Sequence, residues 1–267
     1  MNRRDKEAKK KDRRAKSQVA RKARPAARSF MSELRATIET TSKRSTVEIL
    51  SEGRTAEKLG ELVTNAVAYA EASSTAAMKA APPPVPTACK AGCAFCCSLQ
   101  VGATPPEVLT MADHLRKNRT AAELATLLER LQTIETKTIG LAWQDRPPTP
   151  CALLDENKNC SAYEARPLSC RGWNSQDADP CRRFVEGDKT AETPVYEVPY
   201  ASHQSVMDGT RKGLAEVGLE SKEVDFSIGL RVALADPEVR DRWLKGDRVF
   251  ERAYLNAPTA RRLPVVA

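Results

Sequence analysis

From Ser29 to about Ala80 the chain reads as helix, because apolar positions return every three or four residues. Leu59, Leu62, Val63, Ala66, Val67 and Ala70 form one apolar stripe, suited to packing on a neighbour. Gly53 divides this run into two predicted helices. Pro82, Pro83, Pro84 and Pro86 then demand an extended segment, since each proline disfavours helix geometry in the residue before it. Two S/T-x-x-E capping patterns follow, Thr104 with Glu107 and Thr120 with Glu123, and predict helices starting near Pro105 and Ala121. The second carries Leu124, Leu127, Leu128, Leu131 and Ile134, with Ile139 and Leu141 as a continuation.

Residues 145 to 200 break this regularity: Pro147, Pro148, Pro150, Pro167, Pro180, Pro194 and Pro199 predict loops. A short strand-like run falls around Val195 to Val198, and two further helices are predicted over about 202 to 217 and 235 to 253. The fold class is mainly α and loop-rich. The organisation expected is a basic arm over 1–28, a helical extension and Pro-rich linker over 29–86, a cysteine-bearing domain over 87–200, and a helical C-terminal region over 201–267.

Charge changes this picture at one end. The chain carries 43 Lys plus Arg against 35 Asp plus Glu, a net of +8 over 267 residues, yet residues 1 to 28 alone carry +10 and the remainder is slightly acidic. An arm of that composition cannot bury enough apolar surface to fold alone, so disorder is expected there. Counterion release would let it contact nucleic acid, but it has no aromatic residue before Phe30 to stack on bases, so nucleic acid is not the favoured partner. No run approaches the roughly 18 apolar residues of a membrane span, and the N-terminal stretch lacks the apolar region of a secretory signal. A reducing cytoplasm is the expected compartment, and there eight cysteines suggest metal ligands or redox groups sooner than disulfides.

The cysteines are not scattered. Cys89, Cys93, Cys96 and Cys97 form a CxxxCxxCC cluster. In a helix they would share an arc of roughly 100°; with a tight turn at Gly92, Cys93 and Cys96 would make the two-residue knuckle of many metal sites. Thiolates at that density repel unless a cation neutralises them. Cys151, Cys160, Cys170 and Cys181 follow at spacings unlike those of a zinc finger. The only histidines, His114 and His203, read as ordinary surface or core residues, so the donors are nearly all sulfur, favouring zinc or an iron-sulfur cluster over magnesium or calcium. Neighbouring Cys96 and Cys97 cannot easily chelate one tetrahedral ion. Two metals, a polynuclear cluster, or one non-ligand thiol would each account for the pair.

With Pro150 to Leu154 and Tyr163 to Arg171, this pattern resembles the YkgJ-type cysteine-cluster family, a zinc- or iron-chelating domain, over about residues 87 to 183. The resemblance implies metal ligands at Cys89, Cys93, Cys96, Cys97, Cys151, Cys160 and Cys170, with Cys181 beyond the core pattern. Arg166 and Arg171 flank Cys170 and could donate to its sulfur, Tyr163 could add a hydroxyl to the surroundings of the centre, and Trp173 could shield it from water. Some relatives carry the domain inside flagellin lysine N-methylases. This chain lacks the Gly-rich strand-to-helix turn of a classical methyl-donor fold, so that activity is not carried over. The functional expectation is a metal-binding accessory or redox protein that serves another protein. The alternatives are a cluster-dependent protein-modifying enzyme and a nucleic-acid-binding metal module using the arm.

Overall fold

The computed structural model describes residues 29–255, so the expectation for the basic arm falls outside the described residues. Helix α1 covers residues 29–52, and after Gly53 and Arg54 helix α2 runs over Ala56–Ala80, its first turn closed by the Thr55 hydroxyl, which accepts from the Lys58 N–H. Helices α3, Pro105–Asn118, and α4, Ala121–Thr138, both begin with complete capping boxes, at Thr104/Glu107 and Thr120/Glu123. The chain then supplies two short helices, α5 over Leu168–Gly172 and α6 over Ala178–Val185, before the long α7, Glu197–Glu216. Helices α8, Phe226–Ala235, and α9, Val239–Leu244, finish the described fold.

Strand structure is minimal. β1, Gly102–Ala103, pairs antiparallel with β2, Val224–Asp225, in the register Gly102 to Asp225 and Ala103 to Val224. This pair positions two helices, since β1 leads into the α3 cap while the Asp225 carboxylate caps α8 by accepting from Ile228 N–H at 3.1 Å. Asp225 also forms a buried ion pair with Arg146, which fixes the start of the proline-rich segment against β2.

Four local expectations need correction. The run Val195 to Val198 is not a strand: Tyr196 precedes α7, its N–H bonded to the Asn174 side chain and its hydroxyl to the Ala81 carbonyl. Helix α7 starts earlier than expected because Pro199 falls in its first turn, where a missing N–H leaves no intrahelical bond unmade. Of the helix expected over 235 to 253 only α9 and a 3-10 turn, Glu251–Ala253, form: α8 ends at Ala235, where that helix was expected to begin, and Asp236, Pro237 and Gly246 break the run. Ile139 and Leu141 lie beyond the end of α4 and are exposed.

Among the described residues two larger apolar clusters and a small third one, of Ala77, Tyr196 and Val198, organise the fold. The larger gathers Val108, Leu109, Leu115, Leu127, Leu131, Leu230, Trp243 and Phe250 from α3, α4, α8 and the C-terminal segment. The second joins Ile38 of α1, Ala70 of α2, Val206 and Met207 of α7, and Leu168 of α5. Helices α1 and α7 touch through Gly209 and Gly213, where a Cβ would stand 2.3 Å from the Glu39 carbonyl oxygen and 2.8 Å from that of Lys43. Among the described residues no helix is long and apolar enough to cross a membrane.

Candidate metal centre

The cysteines hang on loops that both clusters grip. Ala152, Leu153 and Ala162 are buried in the larger cluster, and Cys151 and Cys160 pack against it from the same stretch. Cys170 follows Leu168, a member of the second cluster, by two residues. Helix α5 has five residues, too short to persist alone. Burial of the Leu168 side chain contributes about 1.5–3 kcal/mol toward holding it in place.

The first cysteine motif is a turn, not a helix. Cys93 N–H bonds the Lys90 carbonyl at 3.0 Å and Gly92 takes a φ of 79°, a left-handed value that glycine adopts without steric cost. Cys96–Ser98 then forms a single 3-10 turn. The Cys97 carbonyl accepts from Cys151 N–H at 2.9 Å and the Ser98 carbonyl from Thr149 N–H at 2.9 Å, so the two cysteine motifs run side by side. Residues 151–161 fold back as a hairpin: Leu154 bridges Cys160, Asp155 N–H bonds Asn159 O at 2.9 Å, and Ser161 N–H bonds Leu153 O at 2.8 Å. The Asn159 side chain returns to the first motif by accepting from Gly92 N–H at 3.1 Å.

Cys89 and Cys181 meet a different support. Ala88 N–H bonds the Ser175 carbonyl at 2.7 Å, and Ser175 N–H points at the Cys89 sulfur at 3.3 Å. The Ser175 hydroxyl donates to the Asp177 carbonyl at 2.5 Å, and the Cys181 thiol stands 3.8 Å from that same oxygen. Cys181 and Cys96 line one small pocket with Phe95, Leu99, Trp173, Phe184 and Thr193. The expected shielding indole is therefore in the wall, edge-on to Tyr200 with ring centroids 5.9 Å apart.

All eight cysteines are free thiols. Burial raises Cys89, Cys160 and Cys170 above their ordinary pKa and takes Cys151 to about 12. Neighbouring sulfurs push the same way: Cys151, Cys97 and Cys160 act on Cys170, while Cys93 and Cys181 act on Cys89. Cys96 donates a hydrogen bond to Cys97, which holds the proton on Cys96 and draws Cys97 down toward neutrality. Metal-free, this arrangement desolvates sulfurs and sets them against one another, and a soft cation would relieve both costs. The donor chemistry therefore fits a thiolate-bound metal. Among the described residues, no three His, Cys, Asp or Glu side chains are grouped so that they could hold a metal ion, so the fit to a metal rests on the donor chemistry of the thiols.

The flanking residues divide their work. The Arg166 guanidinium lies 3.5 Å over the Tyr163 ring, and its charge favours the thiolates of Cys97, Cys160 and Cys170. Arg171 turns away from the sulfurs: it pairs with Glu71 of α2 at 2.6 Å and bonds the carbonyls of Arg166 and Glu164. It positions the Arg166 loop. Tyr163 is 56% exposed and serves as a platform for Arg166.

Several supporting residues escaped the sequence reading. Glu107 was legible as a cap, but its second oxygen accepts from Leu168 N–H at the head of α5, a contact across 61 residues. Ser175, Asp177 and Asn159 carry no motif that would single them out. His203 is buried, its Nδ1 donating to the Pro199 carbonyl at 2.8 Å and its Nε2 without a partner, while its Cβ fills the space beside Gly172. His114 sits on α3 beside Asn118.

A cysteine-cluster domain on a helical scaffold is what this geometry defines. Residues 88–191 match the family model CxxCxxCC, described as "Putative zinc- or iron-chelating domain". The matched region holds all eight cysteines and is the family that the cysteine pattern resembles. It is somewhat under half of the chain, so α1, α2, α7, α8 and α9 lie outside it. No curated protein and no solved structure matches the chain.

Proposed function

We propose that this protein binds zinc or an iron-sulfur cluster through its cysteines in a reducing cytoplasm, and serves another protein in an accessory or redox role. The observation that carries the reading is the collection of eight free thiols, from positions 89 to 181, onto adjoining loops whose burial disfavours the unliganded thiolates. Residues 145 to 200 bury few large side chains, so a metal would add folding free energy where the apolar core is thin.

The test is elemental analysis of protein purified without oxygen, together with its visible spectrum. Iron and sulfide in equal amounts with a dithionite-bleachable absorption would support a redox role; colourless protein with stoichiometric zinc would support a structural one. Absence of bound metal after reconstitution, with an unchanged thermal transition in Cys93→Ser, would reject metal binding.

A further inference from the structure

We infer that the cleft between α1, α2 and α7 binds a small, neutral, hydroxyl-rich molecule of the size of a monosaccharide or cyclic polyol. The helices that wall it lie outside residues 88–191, so the inference goes beyond the metal-binding reading and does not depend on it.

The cleft arises where an apolar packing pattern is interrupted. On α1 the buried positions Ile38, Ser42, Thr46 and Ile49 follow one another at helical spacing, and the middle two carry hydroxyls where the ends are aliphatic. On α7 the buried residues Val206, Thr210 and Leu214 repeat the exchange, with a hydroxyl between two aliphatic side chains. Ile38 and Val206 belong to the second apolar cluster, Ile49 and Leu214 to the larger one, so the polar layer falls between the two. Helices α1 and α7 touch here, since a Cβ on Gly209 would stand 2.7 Å from that of Ser42, and one on Gly213 2.6 Å from that of Thr46. The space therefore opens toward α2, where Ala66 stands between Leu62 and Ala70 on the apolar stripe and is too short to fill it. A cavity of about 190 Å³ results.

Thr210 shows what this space lacks. Ser42 and Thr46 spend their hydroxyls on their own helix, donating to the Ile38 and Ser42 carbonyls at 2.8 Å each. The Thr210 hydroxyl, equally buried, has no partner. An unpaired buried hydroxyl costs free energy that an occupant with a matching group would recover. Threonine has two χ1 wells in a helix, through which its hydroxyl can turn toward that occupant. Nearer the mouth, Thr41, Ser45 and Tyr69 are half-buried and Asn65 is exposed.

The lining selects the ligand. No residue of the wall is charged, so an entering ion would lose water without gaining an opposite charge. Serine and threonine hydroxyls both donate and accept, as the hydroxyls of a sugar do. Leu62, Ala66 and Tyr69 offer apolar surface to the C–H face of such a molecule. The volume lies below the roughly 300–1,000 Å³ of sites for drug-sized molecules, which limits the occupant to about one ring.

The experiment uses the full chain purified without oxygen, titrated with D-glucose, D-galactose and myo-inositol, with uridine and inorganic phosphate for comparison. Saturation-transfer NMR and the thermal unfolding midpoint are the readouts. At least one of the three neutral polyols should bind saturably and raise the midpoint, and neither comparison compound should. Ala66→Leu fills the cavity and should abolish the binding without lowering the ligand-free midpoint. Thr210→Val keeps the shape of the side chain and should weaken binding by about 2- to 10-fold, while the ligand-free midpoint holds or rises because an unpaired hydroxyl has gone. No saturable binding of any of the three polyols would overturn the proposal and leave a cavity that holds only water. Unchanged affinity in Thr210→Val, or in a folded Ala66→Leu, would place the binding elsewhere and overturn it too, as would saturation by uridine or phosphate instead.

Discussion

The Glu107 carboxylate joins two helices that lie 61 positions apart: one oxygen caps α3 through Thr104 N–H at 2.7 Å and Oγ1 at 2.8 Å, and the other accepts from Leu168 N–H at 2.6 Å. Burial pushes the carboxyl pKa up, while these bonds oppose the shift. A helix cap thus also sets the height of α5, and with it Cys170. Glu107→Gln keeps one acceptor but points an amide N–H₂ at a neighbouring donor. The expected cost is about 1–3 kcal/mol, read by thermal unfolding, and metal retention should weaken with it. An unchanged midpoint would show that α5 is positioned without this bond.

The Arg166 charge favours the thiolates of Cys97, Cys160 and Cys170. Arg166→Gln removes a charge that favours thiolates, so in the metal-free protein their ionisation should shift to higher pH and metal affinity should fall. Arg166→Lys should preserve most of the charge effect while losing the stack on Tyr163, worth about 0.5–1 kcal/mol. Thiolate ultraviolet absorbance followed against pH separates the two variants. Equal titration curves for wild type and Arg166→Gln would deny Arg166 this role.

Metal loading should weaken steeply as pH falls. Cys151, raised to about 12, and Cys89, Cys160 and Cys170, raised as well, are neutral thiols near neutral pH and must lose protons when a metal binds. Each proton displaced changes apparent affinity about tenfold per pH unit. Cys97 should contribute least, because the Cys96 hydrogen bond already favours its thiolate. Competition with a chelator at several pH values measures the slope. A flat profile would contradict thiol coordination.

Burial lowers the His203 pKa, so the unfolded chain takes up its proton more readily than the folded one. Its contribution to stability is complete above the ordinary value of 6.5 and is lost as pH falls from there through the lowered folded value. His203→Gln should therefore show a smaller drop in unfolding midpoint between about pH 7 and 5 than wild type. Parallel curves would mean that the ring is not protonated on unfolding.

Gly209→Val tests the scaffold apart from the site. Its Cβ would meet the Glu39 carbonyl and force α1 from α7, at a cost of about 1–3 kcal/mol. Protein that still folds should keep its metal content. Metal loss in a well-folded variant would show that the α1/α7 contact reaches the cysteine loops.

Local rules made much of this protein legible. Both capping boxes, the break at Gly53 and the apolar stripe of α2 appear where the residues place them, because a cap or a helical face is decided within one or two turns. Local rules failed where tertiary partners intervened. Tyr196 looks like part of a strand until its bonds to Asn174 and Ala81 draw it to the head of α7. Arg171 looks like a ligand to the sulfur beside it until Glu71, 100 residues earlier, takes one end of its guanidinium.

The sequence by itself determined the donor chemistry: eight soft sulfurs, a CxxxCxxCC run and a family resemblance covering one stretch of the chain. It left open how those sulfurs group, since that depends on contacts between proline-rich loops separated by tens of residues, for which periodicity carries no information. Only the tertiary structure set Cys151 against Cys97 and Cys89 against the Ser175–Asp177 turn. The physical reason is that a metal site reads distance in space, and here that distance is fixed by the apolar anchors Leu153, Ala162 and Leu168, which belong to two different clusters of the core.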